Sequence, residues 1–408
     1  MNKFYSYPLF AFFLLATTYL LGQDSIDTTA IIPGNKLPST RIEASSLINY
    51  GSTNLNNEFI QKLLFGGRIE KSIKDKALDK INNKGRFGVE VNYNLKYVNL
   101  KDTLFHKLPN YNYYICFGSY TNVSASFTAD LFSTAFYGNK QFENQTAQLG
   151  RSSFVSTKFE KITVGLVSKD KKTSYGVSLI IGDRINSYNF RKADMFTHTD
   201  GTNISMDYDG TVKLSDDNNT GSFMTFSGAG IGLDYSKTFM KHKLEITNFG
   251  FSIWSKNTKY SNLAKQYEFD GVEIDNILQV TSEELEFNAK AILPELENKH
   301  FFTLLPTIFS LSNEMDDKKE FQPTYQLRYK LLSNYFPYLN AGVVYKANNH
   351  LWLKGTAAYG GYSGLRAEFG AYFNYKFLQA GIESQNVTGM FTKNGNGNGL
   401  RFYLSTTF

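Results

Sequence analysis

From Gly85 to its last residue, the 408-residue chain alternates apolar and polar residues with a period of two. The alternation is clearest from Phe87 to Tyr97 and from Leu365 to Lys376, where every second residue is apolar. Such a pattern is typical of strands that have one face in an apolar medium and the other in a polar one. The chain is therefore predicted to be an all-β protein over most of its length.

The length of these runs separates two kinds of β protein. A soluble sandwich uses strands of about 5–6 residues, whereas a membrane barrel needs strands of about 9–11 residues with apolar side chains outward. The long runs predict a transmembrane outer-membrane β-barrel of roughly 14 antiparallel strands, with a short helical N-terminal segment. The polar faces supply the predicted lumen-lining residues, which are Glu90, Lys96, Arg366, Glu368 and Lys376.

The N-terminus has the pattern of a secretory signal peptide. Lys3 precedes an apolar stretch from Pro8 to Leu21, and Gly22 stands just before polar residues. We expect cleavage after residue 22 and export from the cytoplasm; a single membrane anchor is the alternative. The predicted organisation is a signal peptide (1–22), a partly helical N-terminal extension (23–84) and the barrel (85–408).

The last strand carries a candidate assembly signal. Leu400, Phe402, Leu404 and Phe408 lie at alternate positions that count back from the terminus. This resembles the closing-strand signal of outer-membrane barrels, which implies recognition by the barrel-assembly machinery and outer-membrane insertion, with Phe408 acting in assembly. We expect this strand to pair with the strand near Phe87–Tyr97, because lipid tolerates no open sheet edge. The alternative is an ordinary terminal strand that ends in Phe.

Two segments do not alternate. Residues 55–84 have helical spacing that Gly66 and Gly67 interrupt, which predicts two short amphipathic helices. These helices could form a periplasmic or lumen-docked extension, a plug that gates the lumen, or a docking site for a partner. Residues 256–300 are irregular and acidic, and we expect a solvated extramembrane loop. Calcium binding there is conceivable, but the spacing does not fit a calcium loop.

The sequence offers little catalytic chemistry. Cys116 is the only cysteine, so disulfides within the chain and Cys-rich metal sites are excluded. The net charge is +6, but the sequence has no cluster of Lys and Arg residues. We therefore expect no nucleic-acid partner. His198 and Asp200 form the only local pair that a rim enzyme could use. We find no catalytic, phosphate-binding or metal motif, and we expect neither an enzyme nor a cofactor.

Several stretches resemble a family of uncharacterised outer-membrane barrels that is common in Bacteroidota. They are Phe136–Phe142, Tyr267–Asp275, Ala358–Ala367 and the run from Ser46 to Lys80. The family is distantly similar in layout to FadL-like and PorV-like barrels. The resemblance implies a barrel fold in the outer membrane and no catalytic residues.

Two functions fit these observations. The first is a channel or transporter for small or amphiphilic solutes. The second is a non-transporting partner or scaffold of an envelope secretion or surface-attachment complex, with a lumen blocked by the 55–84 segment. Expected partners are outer-membrane lipid, the barrel-assembly machinery and envelope proteins. The sequence does not separate the two functions.

Overall fold

A computed structural model describes residues 40–99, 110–199, 203–215, 226–255, 257–269, 296–314 and 318–407. The first strands of the sheet are β1 (Thr40–Ser52), β2 (Gly85–Asn99), β3 (Tyr111–Phe127), β4 (Gln145–Gln148), β5 (Ser152–Ser168), β6 (Thr173–Thr197) and β7 (Ile204–Leu214). They are followed by β8 (Gly228–Phe239), β9 (His242–Trp254), β10 (Lys259–Phe269), β11 (Glu297–Asn298), β12 (Phe301–Leu304) and β13 (Ile308–Asn313). The last strands are β14 (Phe321–Lys330), β15 (Phe336–Lys346), β16 (Leu351–Gly361), β17 (Ser363–Tyr375), β18 (Leu378–Ser384) and β19 (Gly397–Thr407).

The strands close into a 14-strand antiparallel barrel, as the sequence predicted. The order around the barrel is β1, β2, β3, β5, β6, β8, β9, β12 with β13, and then β14 to β19. We count β12 and β13 as one wall strand, because both pair with β9 on either side of an interruption at residues 305–307.

The barrel begins earlier in the chain than predicted. β1 lies between β2 and β19, with Arg41 opposite Thr407 on one side and Thr40 opposite Asn99 on the other. The prediction that the terminal strand pairs with the strand near Phe87–Tyr97 is therefore wrong. The predicted extension of residues 23–84 contains a wall strand. The alternation in β1 was missed because two of its outward positions hold the small residues Ala44 and Ser46.

The two faces of the wall differ as the alternation predicted. Apolar side chains point outward and are at least 44% exposed at Val164, Val177, Leu179, Ile231, Leu233, Phe249, Leu339, Val343, Phe369 and Leu404. The inward rows hold buried polar and aromatic side chains, among them Glu90, Asn94, Lys330 and Tyr372. This is the pattern of a transmembrane barrel with an apolar band outside and a polar interior.

Glycines in the inward rows make room for tyrosine rings. A Cβ added at Gly165 would lie 2.3 Å from the ring of Tyr114, and one at Gly88 would lie 2.3 Å from the ring of Tyr362. A larger residue at either position would therefore displace a ring from the interior. The interior of the barrel is filled by side chains of its own wall.

The two ends of the barrel differ in the length of their connections. At the short-turn end, residues 169–172, 240–241, 347–350 and 376–377 join neighbouring strands. At the long-loop end, the connections include residues 53–84, 128–151 and 385–396. These longer connections carry the helices α1 (Asn57–Phe65), α2 (Lys71–Leu78), α3 (Ala129–Tyr137) and α4 (Val387–Phe391), and a 3₁₀ turn, Lys140–Phe142.

The helices α1 and α2 confirm the helical prediction for residues 55–84. Asn56 caps α1 by accepting a hydrogen bond from the backbone N–H of Phe59, and Gly66 ends the helix with a positive φ. Phe59 is fully buried beside Phe132 of α3. We call the three helices α1, α2 and α3 the cap.

The cap packs beside the barrel and not inside it. Its apolar cluster rests on Tyr50, Phe87 and Phe127, which belong to the outward rows of β1, β2 and β3. At its surface, the Tyr137 hydroxyl and the Lys71 ammonium bind Asp75 and lower the pKa of that carboxyl. The described helices are therefore not a plug in the lumen.

A second extramembrane unit is made of strands. The far part of β6 continues beyond the barrel and pairs with β4 and β7, and β7 pairs with β10. The prediction of an irregular region over residues 256–300 is thus wrong for 259–269, which form β10 and pair with β7. Residues 270–295, which hold most of the acidic cluster, lie outside the described residues. No helix in the described ranges has the length and apolar character needed to cross a membrane.

The outward face of β17 provides a direct test of the wall. Phe369 lies at the middle of this 13-residue strand and is 49% exposed. Replacing it with Arg is expected to lower the free energy of unfolding in lipid by about 2–4 kcal/mol, because the charge would enter the apolar core of the bilayer. Phe369→Leu is the matched control and should change little. Equal stability of the Arg variant and wild type would show that this face does not meet lipid.

Candidate functional site

An ion pair crosses the interior of the barrel. Glu90 on β2 contacts the Nζ atom of Lys330 on β14. Between β2 and β14 lie β3, β5, β6, β8, β9 and β13 on one side, and β1, β19, β18, β17, β16 and β15 on the other. The two strands are thus opposite each other. The two side chains are 1% and 2% exposed, so the pair spans the interior and is shielded from solvent.

Neighbouring groups hold the crossing pair in place. Lys330 Nζ also donates to Oδ1 of Asn122 at 2.9 Å, and Arg328 Nη2 lies 4.0 Å from Glu90. Arg328 Nε donates to the hydroxyl of Tyr335 at 3.0 Å. A buried charge without such partners would be strongly unfavourable. We call Glu90, Asn122, Arg328 and Lys330 the crossing cluster.

A further buried network lies along one side of the wall. Glu383 on β18 accepts from Lys354 Nζ at 2.7 Å and from Arg401 Nη1 at 2.8 Å, and it also accepts from the hydroxyl of Tyr372. These residues come from β16, β17, β18 and β19, which are neighbours in the sheet. Unlike the crossing cluster, this network does not span the lumen.

Two turns extend over the long-loop end of the barrel. The turn at residues 331–335 reaches β3 and β5, where Ser124 donates to the carbonyl of Ser333, and Asn334 Nδ2 donates to Ser153 Oγ at 2.9 Å. Tyr362, in the β16–β17 turn, lies over Gly88 of β2 and packs edge-on against Tyr335. The turn at residues 331–335 therefore extends across the mouth to the opposite wall, and Tyr362 extends to the side of the mouth formed by β2.

The interrupted wall strand also points into the interior. Leu305 is buried in a cluster with Tyr120, Phe159 and Ile180 of β3, β5 and β6. It reaches across from the β12–β13 side of the barrel to those strands. The interruption at residues 305–307 thus places an apolar side chain against an apolar cluster inside the barrel.

Four of the five predicted lumen residues face the interior. Glu90 belongs to the crossing cluster. Glu368 accepts a hydrogen bond from the Tyr338 hydroxyl at 2.8 Å and lies 3.3 Å from Arg366 Nε, whose N–H donates to the carbonyl of Gln385. Lys96 lies 3.8 Å from Glu43 and 4.9 Å from the ring centre of Tyr114. Arg366 and Glu368 pair with each other, whereas Glu90 and Lys96 belong to two other ion pairs.

Lys376 was wrongly predicted to line the lumen. It lies in the two-residue turn between β17 and β18, where it is exposed and has a φ of 52°. The period-two pattern does not show where β17 ends. Tyr375 is apolar and Lys376 is polar, so the alternation continues into the turn. A residue in this turn faces solvent at the short-turn end.

The predicted assembly signal lies on the outward face of β19. Leu400, Phe402 and Leu404 occupy the outward row, and Arg401, Tyr403 and Ser405 are buried inside. Phe408 lies outside the described residues. Its role in assembly stays a prediction.

Of the candidate rim pair, the structure describes His198 alone. His198 Nε2 lies 3.0 Å from Ser205 Oγ, and its ring packs edge-on against Phe196. No described carboxylate contacts His198, and Asp200 lies outside the described residues. The described ranges also contain no group of His, Cys, Asp or Glu residues that could hold a metal ion.

Sequence reasoning missed the partners of Glu90. Lys330 and Arg328 stand in the inward row of β14, whose other inward residues include Gln322 and Thr324. The alternation in Phe321–Lys330 could have identified this row as inward-facing. It could not have shown that Lys330 reaches Glu90, because that contact depends on which strands lie opposite each other.

Comparisons with known proteins were made at three levels. No family model matches the chain, and no curated protein sequence matches it. The resemblance to a Bacteroidota family therefore stays a prediction.

Among solved structures, the chain is similar to the toluene transporter TodX of Pseudomonas putida, with 10% identity over 95% of each chain and a TM-score of 0.37. It is also similar to a FadL homologue of Pseudomonas aeruginosa, with 11% identity over 90% of each chain and a TM-score of 0.36. The translocator domain of the autotransporter NalP from Neisseria meningitidis matches at 8% identity, over 93% of this chain and 92% of that one, with a TM-score of 0.33.

Proposed function

We propose that this chain is an outer-membrane channel for small polar solutes that its own wall side chains hold closed. Short turns face the periplasm and longer loops face the cell exterior in barrels of this kind, so the cap and the mouth lie on the outside. The observation that carries the proposal is the contact between Glu90 and Lys330 of opposite strands. Opening requires that this contact break.

The chemistry of the crossing cluster supports a gate. A buried ion pair is often no more stable than apolar residues of similar volume, so a lumen that is permanently filled does not need one. A Lys and a Glu on flexible side chains can separate and be solvated when water enters. The sequence allowed small or amphiphilic solutes. Because the inward rows carry many polar side chains, we favour polar solutes over amphiphilic ones.

The second candidate function is a non-transporting scaffold. The extramembrane sheet and the cap favour it, because together they give the long-loop end a large ordered surface. A scaffold would keep the lumen closed in every state. The two candidates therefore differ in whether any variant of the crossing cluster conducts.

Planar-bilayer recording tests the channel. Purified wild type should be silent or open rarely, and Glu90→Ala/Lys330→Ala should show discrete, frequent current steps, because both partners of the crossing pair are gone. The matched control is Lys354→Ala/Glu383→Ala, which removes a buried Lys–Glu pair of 2.7 Å that does not span the lumen. This control should remain as quiet as wild type.

The alternative outcomes are distinct. If both double variants are folded and show no current, the proposal of a channel is wrong and the scaffold function is favoured. If wild type conducts as readily as Glu90→Ala/Lys330→Ala, the crossing pair is not the gate. Retained heat-modifiable migration on gels would establish that each variant is folded.

A further inference from the structure

A polar cavity lies at the mouth of the barrel, apart from the crossing cluster. Its volume is about 460 Å³, which is within the range of small-molecule sites. Its lining includes Lys84, Ser126, Arg151, Ser153, Asn189 and Asn334.

The wall of the cavity is built from one row of the sheet. Ser126 of β3 is the register partner of Ser153 of β5, and Ser153 is the partner of Asn189 of β6. The two serine hydroxyls lie 3.2 Å apart, and Asn334 closes the row from the opposite side of the mouth through its bond to Ser153. The row presents hydroxyl and amide groups, which can donate to a bound oxygen.

Three cations line the cavity around this row, Lys84, Arg151 and Arg191. Neither Lys84 nor Arg151 has a carboxylate partner in the described part of the chain, whereas Arg191 is paired with Asp209 in a two-bond contact. Burial and the nearby charges of Arg151 and Arg86 lower the pKa of Lys84. An anion bound between Lys84 and Arg151 would offset the repulsion between their like charges.

We propose that this cavity binds a small solute that carries a phosphoryl or sulfate group, with Lys84 and Arg151 as its charged ligands. An oxyanion would accept hydrogen bonds from both cations and from Ser126, Ser153 or Asn334. Arg and Lys are the usual partners of such groups. The proposal does not depend on conduction, because the cavity lies outside the crossing pair.

The test is calorimetric titration of the full chain in detergent with inorganic pyrophosphate at constant ionic strength. Wild type should bind saturably, and Lys84→Gln and Arg151→Gln should each weaken the affinity by at least about tenfold, since each removes a hydrogen bond to a charged group. The matched control is Lys172→Gln, which changes an exposed lysine at the short-turn end and should bind as wild type does.

A second arm identifies the source of the phosphoryl group. If vesicles that contain lipid A displace the pyrophosphate, the natural ligand is a lipid headgroup; if they do not, it is a free solute. Lys84→Arg and Arg151→Lys should restore most of the binding, which a folding defect would not allow. The absence of saturable pyrophosphate binding, or equal affinity in wild type and both Gln variants, would overturn the proposal.

Discussion

Replacing Lys330 with Met is expected to lower the free energy of unfolding by about 3–5 kcal/mol, because Glu90 would keep its charge inside the barrel without its main partner. Glu90 is 1% exposed, and its other cation, Arg328, lies at 4.0 Å. Equilibrium unfolding by urea, followed by tryptophan fluorescence in lipid or detergent, measures this loss.

The double variant Glu90→Gln/Lys330→Met distinguishes two causes of the lost stability. One is the unpaired charge of Glu90, and the other is the loss of the Lys330 side chain itself. With both charges removed, no uncompensated charge stays buried, so the double variant should be clearly more stable than Lys330→Met alone. Together with the single variant Glu90→Gln, these variants complete a double-mutant cycle, which measures the coupling energy of the two residues. If the two single losses simply add in the double variant, Glu90 and Lys330 do not form the contact described.

The second large effect is expected in the cap. Phe59→Ala should cost about 3–5 kcal/mol of local stability, because the ring is fully buried and lies 5.7 Å from Phe132 and 5.1 Å from Phe136, centre to centre. The cap should then open without unfolding the barrel. Amide hydrogen exchange in α1 and α2 should accelerate by about a hundredfold or more.

Phe65 supplies a control on the same helix. Its side chain is 65% exposed, so Phe65→Ala should leave the exchange rates of α1 and α2 close to those of wild type. The barrel strands should exchange as slowly as before in both variants. Unchanged exchange in the Phe59 variant would show that the cap does not depend on this cluster.

The wall could be predicted from the sequence because a single physical rule determines it. Each side chain of the wall faces either lipid or the polar interior, so its polarity predicts its face. In β17 this rule correctly placed Phe369 outside and Glu368 inside. The rule failed in β1, where small outward residues weaken the alternation. It failed again at Lys376, where a turn continues the pattern by chance.

The interior could not be predicted in the same way. Glu90 was identified as an inward residue, but its partner Lys330 is 240 positions away in the chain. Sequence periodicity shows which face a residue occupies and carries no information on which strand lies opposite. The mouth cavity was missed for the same reason, since its cations Lys84 and Arg151 come from two separate loops.

The reactivity of Cys116 tests the closed lumen most directly. This single, buried thiol lies in the inward row of β3, opposite Lys96, and is nearer the short-turn end than Asn122 of the crossing cluster. A charged methanethiosulfonate reagent should be added to proteoliposomes whose long loops face the bulk solution. The account predicts no labelling of Cys116 in wild type or Lys354→Ala/Glu383→Ala, and rapid labelling in Glu90→Ala/Lys330→Ala. Equally rapid labelling of folded wild type would contradict a lumen closed by Glu90 and Lys330.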